Sequence, residues 1–231
     1  MTPSFPTFDT AEIAEEASER AGIEFRAGYA LRSARRSIEL LSIEWGNRGL
    51  NLWTIEETSV PLQQGVWEYP LPDDTIDLIE YTLRNIYAPT NEPRDFPLAR
   101  YSIDEYTAIP DKQSQGRPTA IHIKRRIPPS FLLWKVPDAN YAQYQLVYSR
   151  LRRMASVGAG GTVSPDLPFR FLPAMIAGVA YYMALKSPDP NAFGRVPMLK
   201  AAYEEAYTLA GDEDRDRASV KWRPWDYSVI P

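Results

Sequence analysis

The clearest repeat of apolar positions runs through Ala27, Leu31, Ala34, Ile38, Leu41 and Trp45, which recur at alternating steps of four and three. That spacing lines them up along one side of a helix. Arg32, Arg35, Arg36 and Glu39 fall off the stripe and face water or another subunit. Gly46, Asn47 and Gly49 follow, residues that accept left-handed backbone angles and so end helices. Upstream, Asp9 or Thr10 can cap a shorter helix over 11–21, with Glu12, Glu15, Glu16 and Glu19 on an acidic face and Gly22 as its stop. Residues 1–8, with Pro3 and Pro6, are predicted to form an extended arm.

The period changes after Leu52. Residues 54–62 alternate, Gln63-Gln64-Gly65 makes a turn, and 66–71 returns as a second strand, which predicts a hairpin. Residues 75–87 follow as a strand carrying Ile76, Leu78 and Leu83, and 88–96 reads as proline-rich loop. Ser102 with Glu105 three residues later forms the capping-box pattern of a short helix over 102–108. Residues 111–116 form a polar loop tip, and strands are expected at 120–125, 131–136 and 141–151, with Pro128-Pro129 between the first two. The middle of the chain is therefore a β-rich unit of about six strands.

Residues 154–165 are glycine-rich and lead back to helical structure. The largely apolar helix expected at 169–186 carries small residues at Ala174, Ala177, Gly178, Ala180 and Ala184, which predicts the most buried helix, ended by Pro188 and Pro190. Pro197 suits the first turn of a further helix from 198 to 211 or beyond, with Leu199, Ala202, Tyr203, Ala206, Leu209 and Ala210 on its inner face. The alternating acids and bases of residues 212–217 (DEDRDR) can prolong that helix. Trp222, Trp225 and Tyr227 follow with no later segment to pair with. Exposed Trp has little to gain in water, so this tail is expected to dock, on its own domain or on a partner.

Composition narrows the chemistry. Of 231 residues, 44% are hydrophobic and 24% charged, as in ordinary soluble domains, and the formal net charge is −4. A protein that wraps nucleic acid carries a basic excess, so sequence-specific DNA binding is disfavoured. No stretch approaches the ~18 consecutive apolar residues of a membrane span, and the start of the chain lacks the pattern of a secretory signal. With no cysteine and with His122 as the single histidine, thiolate and imidazole zinc sites lose their ligands. His122 alternates with Ile121 and Ile123 and reads as a surface strand residue, a catalytic base or metal ligand being the alternative. Gly158, Gly160 and Gly161 are followed by Thr162-Val163 rather than the Lys-Ser/Thr of a phosphate loop. Two carboxylates suffice for glycoside hydrolysis, and Glu15-Glu16, Glu56-Glu57, Asp73-Asp74 and Glu204-Glu205 are the candidates. Each reads more simply as a helix face, a turn or a strand edge. No catalytic, cofactor or metal residue is predicted. The 14 Tyr and 6 Trp favour amphipathic contact surface instead.

The blocks GYALRSARRSIELLSIEWGNRGLNLWTIEE and LPFRFLPAMIAGVAYYMALK, with the closing DEDRDRAS, resemble the head-to-tail adaptor (connector) proteins of short-tailed bacteriophages, the group of tail tubular protein A and the tail accessory factors. The resemblance covers both ends of the chain; the middle matches by position and strand content only. It implies an α+β fold: a helical bundle from the N- and C-terminal thirds, an inserted β-rich unit and an extended C-terminal tail, divided at 1–53, 54–153, 154–217 and 218–231. In that arrangement the Ala27–Trp45 stripe packs against 171–185. The resemblance also implies a structural virion protein at the head–tail junction, assembled in the host cytoplasm. Its partners would be the portal ring, the tail nozzle protein, further copies of itself in a ring of typically twelve, and double-stranded DNA passing without sequence-specific binding. Trp222, Arg223, Trp225 and Tyr227 would then be the portal-binding tail, and Arg32, Arg35, Arg36, Asp214, Arg215 and Arg217 candidates for subunit contacts. No cofactor is implied. A cell-wall glycan hydrolase, and a DNA-binding module built on Arg35, Arg36, Lys124, Arg125, Arg126, Arg150, Arg152 and Arg153, are the competing readings.

Overall fold

A computed structural model describes the chain over residues 8–24, 27–49, 52–85, 94–158 and 162–213. It is α+β, and it divides into a helical unit, Met1–Ser37 with Phe169–Pro231, and a β-rich unit, Ile38–Pro168.

In the helical unit, α1 (Thr10–Ala21) begins at Asp9, whose carboxylate accepts the Glu12 N–H at 2.8 Å while the Glu12 carboxylate accepts the Asp9 N–H at 2.9 Å. This reciprocal cap satisfies two amides that the helix itself leaves open. Gly22 ends α1 at φ = 68°, a left-handed angle that a side chain disfavours. Ile13, Ala14, Ala17 and Ala21 are buried, and Glu12, Glu15 and Glu19 are exposed on the opposite side.

The helix α2 (Ala27–Asn47) buries Ala30, Ala34, Ser37, Ile38, Leu41 and Trp45 on one face. The later helices are α4 (Leu172–Lys186), entered through a 3-10 turn, α5 (Pro190–Gly194) and α6 (Val196–Glu213). Small residues make α4 the most enclosed helix, with 174–180 buried throughout. Its chief helix neighbours are α1 and α6, not the α2 stripe that the sequence pattern pairs with it. The end of α4 does reach the middle of α2, where Lys186 Nζ donates to Ser37 Oγ at 2.8 Å. Tyr203 of α6 is buried and stacks with Tyr181 at 6.4 Å, whereas Leu209, on the stripe predicted to face inward, is 67% exposed. Pro190 does not merely stop α4. It occupies the first turn of α5, where a missing N–H costs nothing, behind Asp189 as cap.

The β unit is a sandwich of two four-stranded sheets. One has the order β1 (Ile55–Pro61), β8 (Tyr144–Arg152), β3 (Thr75–Asn85), β4 (Arg94–Pro97); the other β2 (Glu68–Pro70), β7 (Ser130–Trp134), β6 (Ala120–Lys124), β5 (Ala99–Arg100). All pairings are antiparallel except β5 with β6. The core between them draws Leu78, Leu83, Leu146 and Tyr148 from the first sheet and Tyr69, Ile121, Ile123, Phe131 and Leu133 from the second. Phe131 stacks on Tyr69 at 5.3 Å and meets Tyr148 edge-on at 6.2 Å. The short helix α3 (Ile103–Thr107) carries the Ser102/Glu105 capping box expected from the sequence.

Two expectations are corrected here. The turn at 63–65 forms, with Gly65 at φ = 78°, yet no hairpin results, because β1 pairs with β8 and β2 with β7. The turn carries the chain from one sheet to the other. Among the described residues the unit also has eight strands rather than about six, since β4 begins inside the loop expected over 88–96 and β5 lies just after it, where no element was predicted. Both are short edge strands, and Pro97 lies at the end of β4, so neither shows much alternation.

Candidate functional site

The densest constellation of polar side chains lies on the β unit. Arg150 and Arg152 stand two apart on β8 and so project to the same side of the sheet. The register places Glu56 of β1 directly opposite Arg150. Arg150 Nη2 donates to Glu56 Oε2 at 2.8 Å, and its Nη1 donates to Asp74 Oδ1 at 2.5 Å and to Thr75 Oγ1 at 3.1 Å. Arg152 Nε donates to the other Glu56 oxygen at 2.5 Å, and its Nη1 donates to Asp166, on the segment that leads back to the helices. Asp166 also accepts the Ala155 N–H at 2.9 Å, and its carbonyl accepts Trp53 Nε1–H at 3.0 Å. Both guanidinium groups are largely covered, 12% and 16% exposed, which makes these charge-assisted bonds stronger than surface pairs. The cluster borders an open cavity of about 770 Å³ that Asp73, Arg153 and Ser164 also line.

Electrostatics in this cluster oppose acid catalysis. Hydrogen bonding from Arg152 holds the Glu56 carboxyl below its ordinary value, against the opposing effect of burial. Burial pushes Asp166 upward, but the hydrogen bonds from Arg152 and Ala155 outweigh it and the net direction is downward. Arg152, held by Asp166 and Glu56, stays charged throughout. A glycosidase needs one carboxyl raised enough to donate a proton. Here Glu56 and Asp74, from two of the four acidic pairs picked out in the sequence, do come together, but around guanidinium groups. Glu15 and Glu16 remain on α1, and Glu204 and Glu205 on α6.

The same accounting dissolves the basic patch. Glu68 Oε1 accepts from Lys124 at 3.1 Å, Arg126 at 2.7 Å and Ser130 at 2.8 Å, and the Ser130 bond leads in holding the Glu68 carboxyl low. Asp77 of β3 binds Arg125 and, at 2.9 Å, Arg100 of β5, stapling one sheet to the other. Lys124, Arg125, Arg126, Arg150 and Arg152 are thus each paired with a carboxylate of the β unit, Arg125 and Arg126 at its exposed surface. His122 is half-buried, with Nδ1 3.0 Å from the Tyr101 carbonyl and the ring stacked on Tyr106. Among the described residues, no group of His, Cys, Asp and Glu is arranged to hold a metal ion, and no helix is long and apolar enough to cross a membrane.

The arginines of α2 differ. Arg32 and Arg36 are exposed and Arg35 is half-buried; Arg32 Nε donates to the Gly28 carbonyl at 3.0 Å. None of the three forms an ion pair among the described residues. Arg32 and Arg36 share their side of the helix with Tyr29, Leu40 and Ile43, which are 69%, 49% and 62% exposed. Sequence reasoning had not seen this mixed face, because it followed only the buried stripe. Trp222, Arg223, Trp225, Tyr227, Asp214, Arg215 and Arg217 lie outside the described residues.

The described residues thus show a sandwich whose charges pair across its own strands, and an α2 that displays arginines without ion pairs beside exposed Tyr29, Leu40 and Ile43. The chain belongs to the SU10 adaptor protein family, a family of phage adaptors, which matches residues 11–225. No curated protein matches the chain.

Proposed function

We propose that this protein is a head–tail adaptor that forms a ring beneath the portal, carries the tail nozzle and prolongs the DNA channel. The observation that carries this reading is the family match itself, which runs from α1 through Trp222 and Trp225. A ring of typically twelve copies multiplies modest contacts into strong attachment, as multivalency requires. The segment 218–231 is the portal-docking tail, with Trp222, Trp225 and Tyr227 as aromatic anchors and Arg223 among them. The tail tubular protein A type is the kind of adaptor that the two helical blocks resemble. A net charge of −4, together with the pairing of the basic strand residues, supports passage of DNA without retention.

Electron microscopy of the purified full chain mixed with its portal tests this directly. Rings seated on the portal are the expected result; a protein that stays monomeric beside portal rings overturns it. Removing residues 218–231 should leave a folded protein that no longer joins DNA-filled heads, and heads that still acquire tails would refute the docking role of that segment.

A further inference from the structure

We infer that the contact between neighbouring copies joins two different helix faces: Arg32 and Arg36 of α2 in one copy meet Glu15 and Glu19 of α1 in the next. The inference rests on the ring reading above and names the surface that would build it. All four side chains lie on described helices, and none forms an ion pair among the described residues. The α1 acids that are engaged within the chain are others: Glu12 closes the capping box, and Glu16 binds Arg20 at 2.7 Å.

Spacing matches as well as sign. Arg32 and Arg36 are one turn apart, and so are Glu15 and Glu19, so two helices laid side by side align both pairs along about 6 Å of axis. Tyr29 lies beside the arginines and is 69% exposed, an amphipathic side chain of the kind that anchors interfaces. A contact between unlike faces leaves one of each free after every addition, so it propagates until rotation closes it into a ring. A same-to-same contact would set Arg against Arg and stop at two copies.

The test uses the full-length chain. Arg32→Glu/Arg36→Glu reverses one face and Glu15→Lys/Glu19→Lys the other, with helicity checked by circular dichroism and ring formation on portal counted by electron microscopy. Each variant alone should lose ring formation by about tenfold or more, because like charges then face each other. An equimolar mixture of the two should recover it, since every junction again pairs opposite charges. Arg32→Gln/Arg36→Gln, which keeps helix propensity, should give a smaller loss and covers the case in which the reversed helix fails to fold. Variants that form rings as readily as the wild type would overturn this inference and leave the adaptor reading standing. So would folded variants that fail to rescue each other, since α1 would then not be the partner. A wild-type chain that forms no ring, alone or on portal, would overturn both.

Discussion

The two units use charge in opposite ways. In the β unit the guanidinium groups of Arg84, Arg100, Arg125, Arg126, Arg150 and Arg152 each meet a carboxylate, and two of the acids involved, Glu56 and Asp77, are shared between two arginines. In the helical unit Arg32, Arg35 and Arg36 meet none among the described residues, and Lys186 binds only a serine hydroxyl and, weakly, a carbonyl. The pairs of the sandwich join segments distant in sequence, so they fix which strands lie together. The arginines of α2 carry no such carboxylate among the described residues, and the one bond that Arg32 makes there is local, to the Gly28 carbonyl one turn earlier. Among the described residues, the β unit thus pairs most of its arginines with carboxylates, whereas the three arginines of α2 have no ion pair.

The largest effect expected from this contrast is on the sandwich core. Phe131 is fully buried between Tyr69 and Tyr148. Phe131→Ala should lower stability by about 3–5 kcal/mol, the range for a buried aromatic replaced by a cavity, as measured by urea unfolding. A loss below about 1 kcal/mol would mean that the aromatic centre does not hold the two sheets together.

Next in size is the charge network. Arg152→Met keeps the length and apolar stem but takes the guanidinium from Asp166 and one of two from Glu56, which keeps Arg150. It should cost about 2 kcal/mol near neutral pH, less than a fully buried pair because solvent reaches the carboxylates. Both carboxyls are held below their ordinary values of 4.5 and 3.8 in the folded protein. Stability from such groups is present above those values and is lost as pH falls through the lowered ones. The gap between wild type and variant should therefore be constant above those ordinary values and narrow as pH falls below them. A gap that persists in acid would assign the loss to packing rather than charge.

Features that depend on neighbours within a few residues were legible in the sequence. Asp9 and Glu12, Gly22, and Ser102 with Glu105 act over three or four positions, and the helix ends they mark fall where expected. The stripe of α2 and the burial of α4 were equally readable, as was the alternation of β1 and the strand run of β3. Partnership was not. Glu56 meets Arg150 across 94 positions, and nothing near Gln63-Gln64-Gly65 says that the turn changes sheets instead of closing a hairpin. Arg150, Arg152 and Arg153 read as a basic run, because the acids that bind the first two come from three other segments. The strands β4 and β5 are too short for alternation to register, and Pro190 looked like a stop because its role at the start of α5 depends on Asp189 folding back as cap.

The smallest effect is the sharpest test of the contrast, because it applies the same chemical replacement to the other unit. Lys186 at the end of α4 is held below the ordinary lysine value first by burial and then by the charge of Arg36, and it has no carboxylate beside it among the described residues. Its charged form is therefore disfavoured by folding, the reverse of Arg152. Lys186→Met removes that penalty together with the bond to Ser37 Oγ at 2.8 Å. The two nearly cancel, and solvent screening keeps both small, so stability at neutral pH should stay within about 0.5 kcal/mol of wild type. The sign of the pH dependence distinguishes this from an inert surface change. A base with a lowered folded value gains stability as pH rises toward the ordinary 10.5, so the wild type should improve relative to the variant in alkali. If Lys186→Met instead cost as much as Arg152→Met, the helical unit would be as dependent on its cations as the sandwich, and its arginines could not be read as reserved for a partner.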